Sequence, residues 1–201
     1  MRLLLTFLTL LLLATAAYAQ KASVPKCDLE QLAIVAALGD TVAQYNLGVE
    51  FFRGDKVPRD YGKAASMWRK ASDAGDVAAS NNLGFLKYYG RPGVERDYAE
   101  GIRLWRFAAE RGFAESQVHL GQAYSDGRFL KSDFIEAYAW AKAGKHYALK
   151  GSEKIDDPQI AVEIAKDAEK VLVEMRTKLN TLELREAEKK AALYISNFVP
   201  R

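Results

Sequence analysis

Three features of the sequence predict an all-α fold, a right-handed α-solenoid of stacked helix-turn-helix repeats with a C-terminal helical hairpin as cap. The first is recurrence: Leu47-Gly48 returns as Leu83-Gly84 and Leu120-Gly121, at a period of 36 and then 37 residues. The second is register around those pairs. Gly39, Gly75 and Gly112 stand eight residues before the leucines, and Gly54, Gly90 and Gly127 stand seven after them. Asp60-Tyr61, Asp97-Tyr98 and Asp133-Phe134 follow, then Trp68, Trp105 and Trp140. The third is helical spacing of apolar residues between these markers, as in Ala43, Leu47 and Phe51 or Ala64, Trp68 and Ala71.

Residues 1–19 read as a signal peptide. Arg2 precedes the apolar stretch Leu3 to Ala16, broken only by Thr6, Thr9 and Thr15. Ala17-Tyr18-Ala19 places small residues at the −3 and −1 positions of a signal-peptidase site. An uncleaved anchor is the alternative, but the apolar run is short for a span of ~20 residues. Cleavage after Ala19 starts the mature chain at Gln20 and makes it periplasmic or secreted. No later segment approaches membrane-spanning length. Residues 20–27 form an N-terminal linker that ends in Cys27.

The solenoid is expected over residues 28–150. It opens with a half repeat, 28–38, a lone helix of the second type. Repeats follow at 39–74, 75–111 and 112–150. In the first, Asp40 is the N-cap of a helix over 40–52, and Gly48 falls in its middle. Glycine costs ~1 kcal/mol against alanine there. Its return in every repeat predicts a helix–helix crossing too close for a Cβ. The second helix begins at Asp60. Asp97 with Glu100, and Asp133 with Glu136, have the spacing of a capping box. Residues 151–201 are read as the capping hairpin. Asp156-Asp157-Pro158 starts one helix with the stripe Ile160, Ile164, Val171, Met175 and Leu179. Asn180 to Glu183 starts the other, with Leu184, Ala187, Ala191, Tyr194 and Phe198. The alternative use of this hairpin is self-association.

The repeated residues resemble the Sel1-like repeat family, a tetratricopeptide-like helical solenoid. Ala43-Gln44-Tyr45-Asn46-Leu47-Gly48, Phe51, Gly54, Val57, Asp60-Tyr61, Lys63-Ala64 and Trp68 carry the resemblance in the first unit. Asn82-Leu83-Gly84, Gly90, Val94, Asp97-Tyr98 and Trp105 carry it in the second. The third unit matches through Leu120-Gly121, Tyr124, Gly127 and Asp133-Phe134. There Trp140 comes three residues after Ala137 instead of four, which puts its packing role in question. Tetratricopeptide repeats proper are the nearest rival, but the longer period and the Gly-x-x-Val loop argue against them. The resemblance implies an exported bacterial scaffold that binds a partner protein or peptide. It also implies a rival, a hydrolase like the cysteine-rich relatives linked to β-lactams. Those carry paired cysteines in each repeat, and this chain has one cysteine in all.

Composition and motifs exclude other classes. Hydrophobic residues make up 49% of the 201 and charged residues 27%, a folded globular balance. The net charge is +3 and the basic residues are spread out, so nucleic acid is not an expected partner. One cysteine forms neither an internal disulfide nor a structural zinc site. The metalloprotease, nucleophile-elbow and phosphate-loop motifs are absent, so no catalytic residue, metal or cofactor is expected. What remains is a surface. With Leu47 turned inward, Asn46 and Val49 face outward on the concave side, and Asn82 and Phe85, then His119 and Gln122, repeat them. A row of Asn46, Asn82 and His119 offers hydrogen bonds to a peptide backbone, and an exposed Phe85 offers an apolar anchor. The alternative is that the asparagines only pack one repeat on the next.

Overall fold

A computed structural model describes residues 29–150 and 158–197. The signal peptide, Cys27, the Asp156-Asp157 helix start and Phe198 lie outside the described residues. Within them the chain is helical throughout: α1 (Leu29–Ala37), α2 (Thr41–Arg53), α3 (Tyr61–Asp73), α4 (Val77–Tyr89), α5 (Tyr98–Ala109), α6 (Ala114–Asp126), α7 (Phe134–Lys150), α8 (Pro158–Lys178) and α9 (Thr181–Asn197). Helices α2–α3, α4–α5 and α6–α7 are the three repeat pairs. They stack in chain order, with α1 packed on α2 at one end. Among the described residues no helix is long and apolar enough to cross a membrane.

Local signals set the helix starts. The Asp40 and Asp76 carboxylates accept from the N–H groups of Ala43 at 2.7 Å and Ala79 at 2.6 Å. Unit three has Phe113 at that position and lacks a side-chain cap. Asp60, Asp97 and Asp133 cap the second helices in the same way, at 2.8, 2.9 and 2.9 Å. The capping boxes do not close. The N–H groups of Asp97 and Asp133, which Glu100 and Glu136 would have satisfied, already donate to Lys87 O at 2.7 Å and Tyr124 O at 3.2 Å. Glu100 is thereby freed to pair with Arg69 and Lys87 across two helices. Glu136 is freed to meet Lys190 and the Tyr194 hydroxyl, each at 2.8 Å. A closed box does form at α9, where Asn180 Oδ1 accepts from Glu183 N and Glu183 accepts from Asn180 N at 2.9 Å. Between units, the chain reverses through a Schellman motif. At Gly75, φ is 95°, Gly75 N–H donates to Ser72 O and Asp76 N–H to Ala71 O.

The mid-helix glycines sit where expected, at tight crossings. A Cβ on Gly48 would lie 2.5 Å from Trp68 Cδ1, and one on Gly84 would lie 2.7 Å from Trp105 Cδ1. Each indole N–H donates to the helix that the glycine opens, Trp68 to Tyr45 O at 3.1 Å and Trp105 to Asn81 O at 3.2 Å. Unit three is built differently. Ala141 occupies the place of the tryptophan, and the helices close until a Gly121 Cβ would meet Ala137 O at 3.0 Å. Trp140, one residue off register, stacks instead on Tyr194 of α9 at 4.3 Å.

Buried polar side chains join one unit to the next. Gln44 Nε2 donates to Ala36 O at 3.1 Å and Gln117 Nε2 to Ala109 O at 2.9 Å, each reaching an end carbonyl of the preceding helix. At the same place in unit two, Ser80 Oγ lies 2.8 Å from Ser72 Oγ. At the C-terminal end, α8 and α9 straddle α7 and make little contact with each other. With α6 on its third side, α7 is enclosed, which explains its run of buried small residues: Ala137, Ala139, Ala141, Ala143, Gly144 and Ala148. Ion pairs tie it to both flanking helices, Lys145 to Glu169 at 2.7 Å and Lys142 to Glu188. Val171 and Met175 are buried as the stripe on α8 predicts, but Ile160 is 49% exposed. Ala161, Ala165, Ala168 and Leu172 complete the buried line, because the small residues are what fit against α7.

Candidate protein-binding groove

The faces of α2, α4 and α6 that turn away from their partner helices form one concave strip. The leucine and glycine of each unit point to the second helix, so residues one before and two after the leucine are left on the open side. All six predicted positions are there. Asn46, Val49, Asn82 and Phe85 line a depression of about 480 Å³ between units one and two. His119 and Gln122 line a second, of about 330 Å³, beside unit three. Glu115 borders both.

The six do not form two equal outward rows. Asn46 is exposed, while Val49, Asn82, Phe85, His119 and Gln122 are half-buried. Phe85 is not the free anchor the helical wheel suggests. Its ring packs on Tyr89 at 4.9 Å and Phe52 at 6.5 Å, and the Arg91 guanidinium covers it at 5.0 Å. His119 lies flat on Trp105, with ring centres 4.6 Å apart and planes 24° apart. Asn82 has a foot in each reading. Its Oδ1 accepts from Asn81 Nδ2 at 3.2 Å, and it hydrogen-bonds the Tyr45 phenol, whose pKa burial nonetheless raises. It therefore packs unit two on unit one and still faces the groove.

Two parts of the site carry no signal in the local sequence. One is a buried polar knot behind the groove. Asn81 Nδ2 donates to Glu115 at 2.8 Å and Ser116 Oγ donates to Asn81 Oδ1 at 2.7 Å, which holds Glu115 at the junction of the depressions. The other is the far wall, which comes from α8 through Ile160, Glu163, Ile164 and Asp167.

Burial lowers the His119 pKa below its ordinary value, opposed by the Glu115 carboxylate 3.8 Å from Nε2 and by Gln122 Oε1 3.4 Å from Nδ1. The ring is neutral at pH 7. Below pH ~6.5 the unfolded chain takes up this proton more readily than the folded one, so acidification costs stability. Thermal midpoints measured from pH 7.5 to 5 should fall less for His119→Gln than for the parent. Equal slopes would show that His119 titrates as a free imidazole.

The comparisons with known proteins agree with this architecture. A Sel1 repeat profile matches residues 41–76, 77–113 and 114–144, the three helix pairs in turn. No relative was found among curated proteins. Among solved structures, a protective antigen of uropathogenic Escherichia coli with an SLR fold superposes with a TM-score of 0.69 at 29% identity. That match covers 86% of this chain and 33% of the antigen. A Sel1 repeat protein from Oxalobacter formigenes superposes with a TM-score of 0.55 at 24% identity, over 71% of this chain and 63% of that one. This chain thus spans about a third of the antigen and under two thirds of the second protein. With three profile matches over more than half of its length, each on one helix pair of the solenoid, the chain belongs to the Sel1-repeat family.

Proposed function

We propose that the protein is an exported, non-catalytic scaffold that holds a segment of a partner protein, or a peptide, in the groove of α2, α4 and α6. Sel1 repeats are typically protein-interaction modules. The observation that carries the reading is the convergence of six positions from three repeats on two depressions joined at Glu115. The chemistry suits a peptide. Asn46 and Asn82 both donate and accept, as a backbone requires, and Val49 and Phe85 provide apolar contact between them.

Site-specific photocrosslinking tests the groove. A photoreactive amino acid in place of Asn46 should crosslink a partner in an envelope or secreted fraction. The same group in place of the exposed Lys189 on α9 should not. Crosslinking from position 189 alone would move the interface to the C-terminal helices. The export half of the proposal rests on Ala17 and Ala19 and has its own check. N-terminal sequencing of the exported protein should begin at Gln20, and an intact Met1 chain in the membrane fraction would refute it.

A further inference from the structure

The two depressions differ in charge, and the difference names a partner. The first has one cation, Arg53, and one carboxylate, Glu115, among its lining residues. The second is lined by three carboxylates, Glu115, Glu163 and Asp167, and by no lysine or arginine. Two of the three are paired with lysines of the same helix. Lys166 pairs with Glu163 at 3.0 Å and Lys170 with Asp167 at 2.7 Å from the next turn of α8, and both lysines are largely exposed. Exposed pairs of this kind are worth little and leave the carboxylates open to a better partner. His119 adds no positive charge, because burial keeps it neutral at pH 7. Val118, Ile160 and Ile164 add apolar surface to the same depression.

Apolar surface beside carboxylates is the complement of one kind of side chain. Lysine and arginine lay an aliphatic stem on apolar surface and carry the charge at its tip. We infer that the second depression receives a lysine or arginine of an extended peptide segment, whose apolar residue lies against Val49 and Phe85 in the first. The rings of Phe85 in the first depression and His119 in the second have centres 6.2 Å apart, and an extended chain advances ~3.3 Å per residue. The apolar and basic residues of the segment are therefore two or three positions apart. This inference rests on the groove reading of function and adds the partner's chemistry to it.

Synthetic peptides test it against the purified protein. Each has about eight residues in a serine-glycine background, with one phenylalanine or leucine. Two or three positions away stands lysine, arginine, uncharged norleucine or glutamate. Fluorescence anisotropy should show lysine and arginine peptides binding at least about tenfold more tightly than norleucine, with glutamate weaker still. The preference should shrink in about 0.5 M salt and be lost in Glu163→Gln/Asp167→Asn, whose side chains face solvent and whose fold circular dichroism can confirm. Equal binding of lysine and norleucine peptides, with Asn46→Ala weakening both, overturns the charge preference and leaves the groove reading in place. A lysine preference that survives in the double variant overturns this location for it. A folded protein that binds no peptide overturns both readings. Concentration-dependent dimerisation abolished by the same double variant replaces the peptide with a second copy of this chain.

Discussion

Gly84→Leu is expected to lower the thermal midpoint by about 5–15 °C. A Cβ alone would stand 2.7 Å from Trp105 Cδ1 and 3.2 Å from the backbone oxygen of Gly101. The indole has nowhere to go: it is 1% exposed, lies between His119 at 4.6 Å and Tyr88 at 4.7 Å, and donates to Asn81 O. Overpacking costs ~1–3 kcal/mol, and stranding the buried indole N–H costs ~1–3 kcal/mol more. Leucine regains ~1 kcal/mol as the better helix former. The net loss is about 1–5 kcal/mol, and Gly84→Ala should move the same way by less. An unchanged or raised midpoint would mean that the crossing relaxes at little cost.

Phe85→Ala should weaken partner capture about thirtyfold, the effect of losing a central aromatic contact. The same ring also closes the joint between units one and two, through Phe52 and Tyr89, so stability should fall by about 2 kcal/mol. Phe85→Leu separates the two roles, since it keeps most of the buried apolar volume and loses the ring. Asn82→Ala should weaken capture next most strongly, and Lys189→Ala should leave it unchanged. Titration of a labelled partner or peptide against each purified variant reads all four. Wild-type capture by Phe85→Ala/Asn82→Ala would remove the groove from the account.

The solenoid was legible because its determinants repeat and act over short range. Each mid-helix glycine and the tryptophan against it lie about 20 residues apart in the first two units, and the aspartate caps act within one turn. Trp140 broke the register by one residue in the sequence and turns to a different partner in the fold. Glu100 and Glu136 misled because a capping box assumes that the N-cap N–H is free, and the preceding helix had taken it. Helical phase placed all six groove positions but not their depth. A wheel shows which way a side chain leaves its own helix; it does not show that Trp105 lies under His119 or that Tyr89 and Arg91 enclose Phe85. The α8 wall follows no repeat and comes from outside the repeating pattern, so nothing local announces it. Gln44, Ser80 and Gln117 are the missed signal that was present, a polar residue three before every repeat leucine.

The placement of the indoles decides how this solenoid can be cut and rejoined. Units one and two each tie their own two helices together with an indole N–H bonded to a carbonyl of the first, while the joint between the units is made by side chains, Ser72 with Ser80 and Phe52 with Phe85. They serve as cassettes only where the side chains that meet across Gly75 are kept on both sides of the splice. Unit three is not a cassette. Its tryptophan belongs to Tyr194, its second helix is enclosed by α8 and α9, and its ionic partners lie beyond residue 158. Any shuffled or lengthened version of the protein must carry unit three and the two terminal helices together as one block, with added units inserted upstream of it.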